Sequence, residues 1–227
     1  NFKINSIGTF LRPIKIFLRY ANEAELTKSN DFSKSHFNIS KEKIEPVTLS
    51  KVELSKIETL SLQEDRYEHI RNIFLFLAYS AFRWSDYLSL QRDHIDFQKN
   101  EIRKIQVKTL NKTAIPLHKK LREHLTQHPE IIERKTSLSN FNTKIKHIGK
   151  LAGIDSPVET ERGVFVPKYK LLGSHIGRRT FATLSINAGM PVNTVMLFTG
   201  HRSLAAFNAY VGAPDDMSTD ELDRIFD

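Results

Sequence analysis

The sequence predicts an α+β chain, mainly helical, with a small antiparallel β-sheet, preceded by the last helix of a truncated helical domain. Three observations carry this. Apolar residues recur at helical spacing along most of the chain, as in Ile70, Ile73, Phe74, Leu77 and Ala78. One segment, 95–117, changes to an alternating pattern interrupted by a turn. A polar stretch rich in Ser, Lys and Asn, 22–46, separates one amphipathic helix from everything after it and reads as a linker.

The first helix, over 6–23, carries Ile7, Phe10, Leu11, Ile14, Phe17 and Leu18, with Arg12, Lys15 and Arg19 between them. One amphipathic helix cannot bury its own apolar face, so residues 1–46 are expected to be the end of a domain that starts earlier. The second domain is expected over 47–214. Thr48 or Ser50 caps its first helix, with Glu53 in the first turn. A strongly apolar helix follows over 66–80. Ser85 is expected to cap a short helix bearing Leu88 and Leu90. Arg83 then stands at a helix junction, aimed into a cleft or into solvent, with Asp86 three residues on to brace its guanidinium.

Ile105 and Val107 alternate with polar residues, Leu110-Asn111-Lys112 makes a turn, and Ala114-Ile115-Pro116 returns. Lys108 stands at the end of the middle strand. It is a solvated charge unless the hairpin reaches over a substrate. Leu117, Leu121 and Leu125 mark another helix. Ser139 is expected to cap the next, with Phe141, Ile145, Ile148, Leu151 and Ala152 on one face and Gly153 ending it. Lys144, Lys146 and Lys150 lie off that face and fit phosphate contacts or solvated charges equally. Residues 158–166, with Arg162-Gly163 at the turn, read as a hairpin.

Ser174 is expected to cap a helix that Gly189 stops. His175 and Arg178, three apart, share its first turn, where the helix dipole favours an anion. Arginine adds a planar fork that matches two phosphate oxygens. Val192, Val195, Met196 and Phe198 form a helix that stops at Gly200, so His201 projects from a fixed corner. Ser203 caps a last helix bearing Leu204, Phe207 and Tyr210. Two cations, two imidazoles and a phenol so close in sequence suit chemistry on a phosphodiester.

Composition agrees. The net charge is +8, and residues 215–227 hold six Asp/Glu and one Arg, so the rest carries +8 less −5, or +13. A body this basic points to a polyanion, nucleic acid first. Without cysteine there is no disulfide and no thiolate metal site, which fits a reducing cytosol. No apolar run is long enough to span a bilayer, and there is no signal-peptide pattern.

In combination the motifs are specific. Ala81-Phe82-Arg83-Trp84-Ser85-Asp86-Tyr87-Leu88-Ser89-Leu90, Ser174-His175-Ile176-Gly177-Arg178-Arg179-Thr180-Phe181-Ala182-Thr183, and Thr199-Gly200-His201-Arg202-Ser203-Leu204 leading to Tyr210 resemble the three signature motifs of the tyrosine recombinase (phage integrase) family. The resemblance covers roughly 47–211 and implies that family's catalytic-domain fold. It also implies roles. Tyr210 is the nucleophile of a 3′-phosphotyrosyl link, and Arg83 and Arg178 hold the non-bridging oxygens. His201 donates to one of those oxygens, Lys108 is the general acid for the 5′-oxygen, and His175 assists proton transfer. Arg179 and Arg202 join Lys144, Lys146 and Lys150 as DNA contacts. Two positions depart from the family pattern: Ala205-Ala206 replaces Thr-Thr, and Ala81 stands where Gly is commoner. Lys104 and Lys112 lie close enough to Lys108 for a register slip to exchange them.

The implied function is site-specific recombination by the integrase of a mobile genetic element such as a phage or transposon. It would act on double-stranded DNA in the bacterial cytosol, as a tetramer on two sites, with no cofactor or metal. The acidic tail, 215–227, offers Leu222, Ile225 and Phe226 to a neighbouring protomer, or else is a frayed terminus. Type IB topoisomerase chemistry, and a catalytically silent DNA-binding protein on the same fold, are the competing readings.

Overall fold

A computed structural model describes residues 4–34, 45–105 and 112–211. The chain divides into two compact units, residues 1–44 with Glu161–Gly163, and the remainder.

In the first unit, α1 (Ile4–Glu23) is a 20-residue helix with Pro13 inside it. Ile7, Phe10, Ile14 and Phe17 on it are exposed. Glu25, at φ +57, ends the helix, with Leu26 N–H donating to the Ala21 carbonyl.

The second unit is built around α3 (Asp65–Ser80). The sequence pattern predicts one apolar stripe, but burial runs round the helix from Asn72 to Ser80, polar residues included. The reason is that α3 has neighbours on several sides: α2 (Lys51–Thr59), α5 (Lys119–Gln127), α6 (Glu130–Glu133), α7 (Leu138–Leu151) and α8 (Ser174–Asn187). The tightest approach is α8 on α3. A Cβ on Gly177 would lie 3.1 Å from Leu77 Cβ and 3.2 Å from the Phe74 carbonyl oxygen.

Local signals place several helix ends. Ser50 caps α2, its hydroxyl accepting from Glu53 N–H while the Glu53 carboxylate accepts from Ser50 N–H. Other ends move by a residue or two. Ser137, not Ser139, caps α7, accepting from Asn140 N–H at 3.2 Å. Leu151, expected on its buried face, is 53% exposed. Gly173, not Ser174, precedes α8, and the Asn142 side chain accepts from Ser174 N–H instead. Arg83, not Ser85, stands at the N-cap of α4 (Trp84–Leu88), and Leu90 follows that helix.

Strands β1 (Ile95–Asp96), β2 (Glu101–Ile105) and β3 (Lys112–Pro116) form an antiparallel sheet in that order. Ile102 pairs with Ile115 and both are buried. Lys112, expected in the turn, pairs with Ile105 as part of β3. Lys108 lies outside the described residues, as does the acidic tail. A separate hairpin joins β4 (Pro157–Glu161) to β5 (Val164–Pro167) with Gly163 at φ +76. The chain ends its described course in α9 (Val192–Thr199) and α10 (Leu204–Asn208), whose N-cap is Ser203. Among the described residues no helix is long and apolar enough to cross a membrane.

Candidate active site

The site forms where three helix ends converge. At the end of α3, Ala81 adopts φ +57, the left-handed region that favours glycine. That turn delivers Arg83 to the start of α4. At the end of α9, Gly200 adopts φ +60; its N–H donates to the Leu197 carbonyl, and His201 N–H donates to the Met196 carbonyl at 3.1 Å. This is a Schellman closure, and it fixes the backbone from which the His201 ring projects. The first turn of α8 supplies His175 and Arg178.

The closure of α9 occupies the Met196 and Leu197 carbonyls and leaves the Thr199 carbonyl for other donors. Both Arg83 and Arg178 take it. Arg83 Nη2 donates to the Thr199 oxygen at 3.1 Å and to the Gly200 oxygen at 3.4 Å. Arg178 donates through Nη2 to the Thr199 carbonyl and through Nη1 to the Ala81 carbonyl. The carbonyl end of a helix carries partial negative charge, so two guanidinium groups rest there. Asp86 is buried, and its carboxylate lies 3.9 Å from Arg83 Nη1, within ion-pair reach.

Tyr210 lies just past α10, its N–H donating to the Phe207 carbonyl at 2.8 Å. It is 8% exposed and packs with Ala182, Val195 and Phe207. Its hydroxyl is buried without an aligned hydrogen bond, although Arg178 is close enough to act on it by charge. The His201 ring centroid is 4.7 Å from that of Tyr210, and the His175 ring meets Tyr210 edge-on at 5.1 Å.

The electrostatics are those of a cationic pocket. Burial pushes the Arg178 guanidinium down to about 10, while Tyr210 pulls it back up. Burial, then the charges of Arg178, Arg83 and His175, push His201 down to about 4, so its ring is neutral near pH 7. Burial raises the Tyr210 phenol; Arg178, Arg179 and Arg83 act against that rise. An anion among these groups would answer the cations and take the arginine forks. Among the described residues, no group of three or more His, Asp or Glu side chains could hold a metal ion.

The structure thus brings Arg83, His175, Arg178, His201 and Tyr210 together. Lys144, Lys146 and Lys150 sit on α7, with Lys144 Nζ donating to Asn140 at 2.5 Å. Arg202 is exposed. Arg179, read from sequence as a DNA contact, is half-buried with its guanidinium over the Tyr210 ring. Thr199 is the residue that sequence reasoning passed over. Its hydroxyl lies 2.8 Å from His201 Nδ1 while its carbonyl holds both arginines. A threonine before Gly-His carries no chemical signal of its own.

No curated protein matches the sequence. Solved structures share its fold. The Tn1549 transposon integrase in complex with circular intermediate DNA is 16% identical, with a TM-score of 0.69 over 100% of this chain and 80% of that one. A lambda integrase dimer bound to a COC′ core site is 18% identical, with a TM-score of 0.73 over 95% and 76%. The XerA recombinase is 17% identical, with a TM-score of 0.56 over 99% and 76%. The model of the phage integrase family matches residues 48–216. That match spans the junction arginine, the His-x-x-Arg turn, the Gly-His corner and the tyrosine, and the chain belongs to the phage integrase family.

Proposed function

We propose that this chain is a site-specific DNA recombinase of a mobile genetic element, cutting and rejoining strands through a 3′-phosphotyrosyl link at Tyr210. The observation that carries this is the convergence of two guanidinium forks, those of Arg83 and Arg178, on the corner that also holds His201 and the buried Tyr210 phenol.

In the reaction, the Tyr210 oxygen bonds to phosphorus and the P–O5′ bond breaks, its electron pair leaving on the 5′-oxygen. Arg83 and Arg178 turn from the Thr199 carbonyl to the non-bridging oxygens, where charge accumulates. Losing one such preorganised donor typically costs about a hundredfold or more in rate. His201 donates to one of those oxygens, Lys108 protonates the 5′-oxygen, and His175, exposed at the edge of the Tyr210 ring, assists proton transfer. The covalent link keeps the bond energy for rejoining.

Residues 47–214 would form the catalytic domain and 1–46 the end of a core-binding domain, and the substrate would be double-stranded DNA. The Tn1549 transposon integrase was solved in complex with circular intermediate DNA and the lambda integrase as a dimer bound to a COC′ core site, which favours a homo-oligomer on DNA, with the acidic tail as a contact between protomers. The test is a nicked DNA substrate from which the cleaved strand diffuses away. Wild-type protein should give a covalent protein–DNA band that proteinase removes. Tyr210→Phe should bind the same DNA, with the steep salt dependence of counterion release, and give no band. A band that persists in Tyr210→Phe would sink the assignment.

A further inference from the structure

Helix α8 begins without a cap of its own. Gly173 precedes it in extended backbone, at φ −174 and ψ 177, and has no side chain to offer. The first N–H groups of a helix have no partner within it. That of Ser174 donates to Asn142 Oδ1, on α7, at 3.2 Å. Of the two ends of a carboxamide only the oxygen accepts, so this contact also fixes which way the side chain points. Gly173 makes room for it: a Cβ there would stand 3.0 Å from Asn142 Oδ1.

The capped turn is the one that carries His175. Further along, α8 is held by other means. Gly177 lies against α3, and Arg178 donates to the Ala81 and Thr199 carbonyls. His175, next to Ser174, is exposed, and its ring meets Tyr210 edge-on at 5.1 Å. The backbone beneath that ring is fastened to α7 at Ser174.

We propose that Asn142 is a positioning residue of the active site: from α7, its side chain caps α8 and holds the turn from which His175 reaches the Tyr210 ring. Its effect on strand cleavage rests on the recombinase reading above. Asn142 sets where His175 stands and leaves the buried Arg178 fork to its own partners. The same helix carries Lys146 and Lys150, both exposed, four and eight residues after Asn142. A phosphate contact at those lysines and the turn that bears His175 therefore share one helix as their support.

The test separates His175 from the rest of the site. Asn142→Ala frees the Ser174 N–H and should slow covalent-complex formation on the nicked substrate roughly three- to tenfold, the loss of about one helix cap, with unchanged DNA affinity. Asn142→Asp keeps an acceptor in the same place and should stay near the wild-type rate. Adding Gly173→Ser to Asn142→Ala should recover the rate, because the new hydroxyl caps α8 locally and the oxygen that crowded position 173 is gone. In a His175→Gln background, Asn142→Ala should add little further slowing, since both changes act through one group. A wild-type rate in folded Asn142→Ala overturns the proposal. So does equal slowing with and without His175. Amide hydrogen exchange of the wild type without DNA gives a reading that needs no variant. The Ser174 N–H should exchange slowly; exchange at the rate of an open amide overturns the proposal, even if Asn142→Ala does not fold. A protected Ser174 N–H in a wild-type protein that forms no covalent complex would support the cap and overturn the recombinase reading instead.

Discussion

The Arg179 guanidinium lies over the face of the Tyr210 ring, 5.1 Å from its centroid. A cation over an aromatic face is attracted to the ring, and more strongly once the phenol ionises. Such contacts are worth about 0.5–2 kcal/mol. Arg179→Met should therefore slow covalent-complex formation by roughly tenfold, since about 1.4 kcal/mol is a factor of ten, while leaving DNA affinity nearly intact. Rates on the nicked substrate and gel-shift titrations would check this. An affinity loss with an unchanged rate for bound DNA would return Arg179 to the role of a phosphate contact.

Lys108 is proposed as the acid for the leaving 5′-oxygen. A 5′-sulfur leaves without a proton, so Lys108→Ala should be strongly slowed on the oxygen substrate and close to wild type on the sulfur one. Absence of rescue would pass the role to another lysine of the hairpin, Lys104 or Lys112.

Gly177 lets α8 approach α3 closely. A methyl group there would meet Leu77 Cβ at 3.1 Å, the Phe74 carbonyl at 3.2 Å and the Ala78 nitrogen at 3.3 Å. Two of these are backbone atoms that cannot rotate away. Gly177→Ala gains about 0.5–1 kcal/mol in helix propensity but strains a packed core at about 1–3 kcal/mol. Urea unfolding should show a net loss of about 1–2 kcal/mol. Because the same helix carries Arg178, cleavage should fall as well. A stabilised variant would show that the helices separate without strain.

Stability should fall with acid through a histidine far from the reaction. His124 is buried on α5, its Nε2–H donating to the Asn72 carbonyl at 2.8 Å. Burial holds it down to about 4. Unfolded, it returns to about 6.5, so between those values the unfolded chain binds a proton that the folded chain refuses. Its contribution is fully present above about pH 6.5 and is lost as pH falls toward 4, on the order of 3 kcal/mol. Burial lowers His69 too and adds to the slope. Denaturant melts across this range should show a flatter dependence in His124→Phe. An unchanged slope would place the acid sensitivity elsewhere.

What the sequence by itself determined was whatever a few adjacent residues decide. The Ser50–Glu53 capping box, the left-handed turn at Gly200, the Ser203 cap and the Gly163 hairpin turn each depend on conformational limits within about four residues. The spacing of Arg83, His175-x-x-Arg178, Gly200-His201 and Tyr210 is likewise a property of the chain, and it is what marks the family. Only the tertiary structure decided which of two serines caps α7, because both are chemically fit and the packing of Phe141, Ile145 and Ile148 chooses the register. It alone buried α3 all round from Asn72 to Ser80, since a helix's own pattern does not report how many neighbours surround it. It alone placed Arg179 over Tyr210 and turned Thr199 into the hub of the site. A guanidinium or a hydroxyl acquires its role from the group opposite it, and here those groups lie in other helices or beyond a helix end.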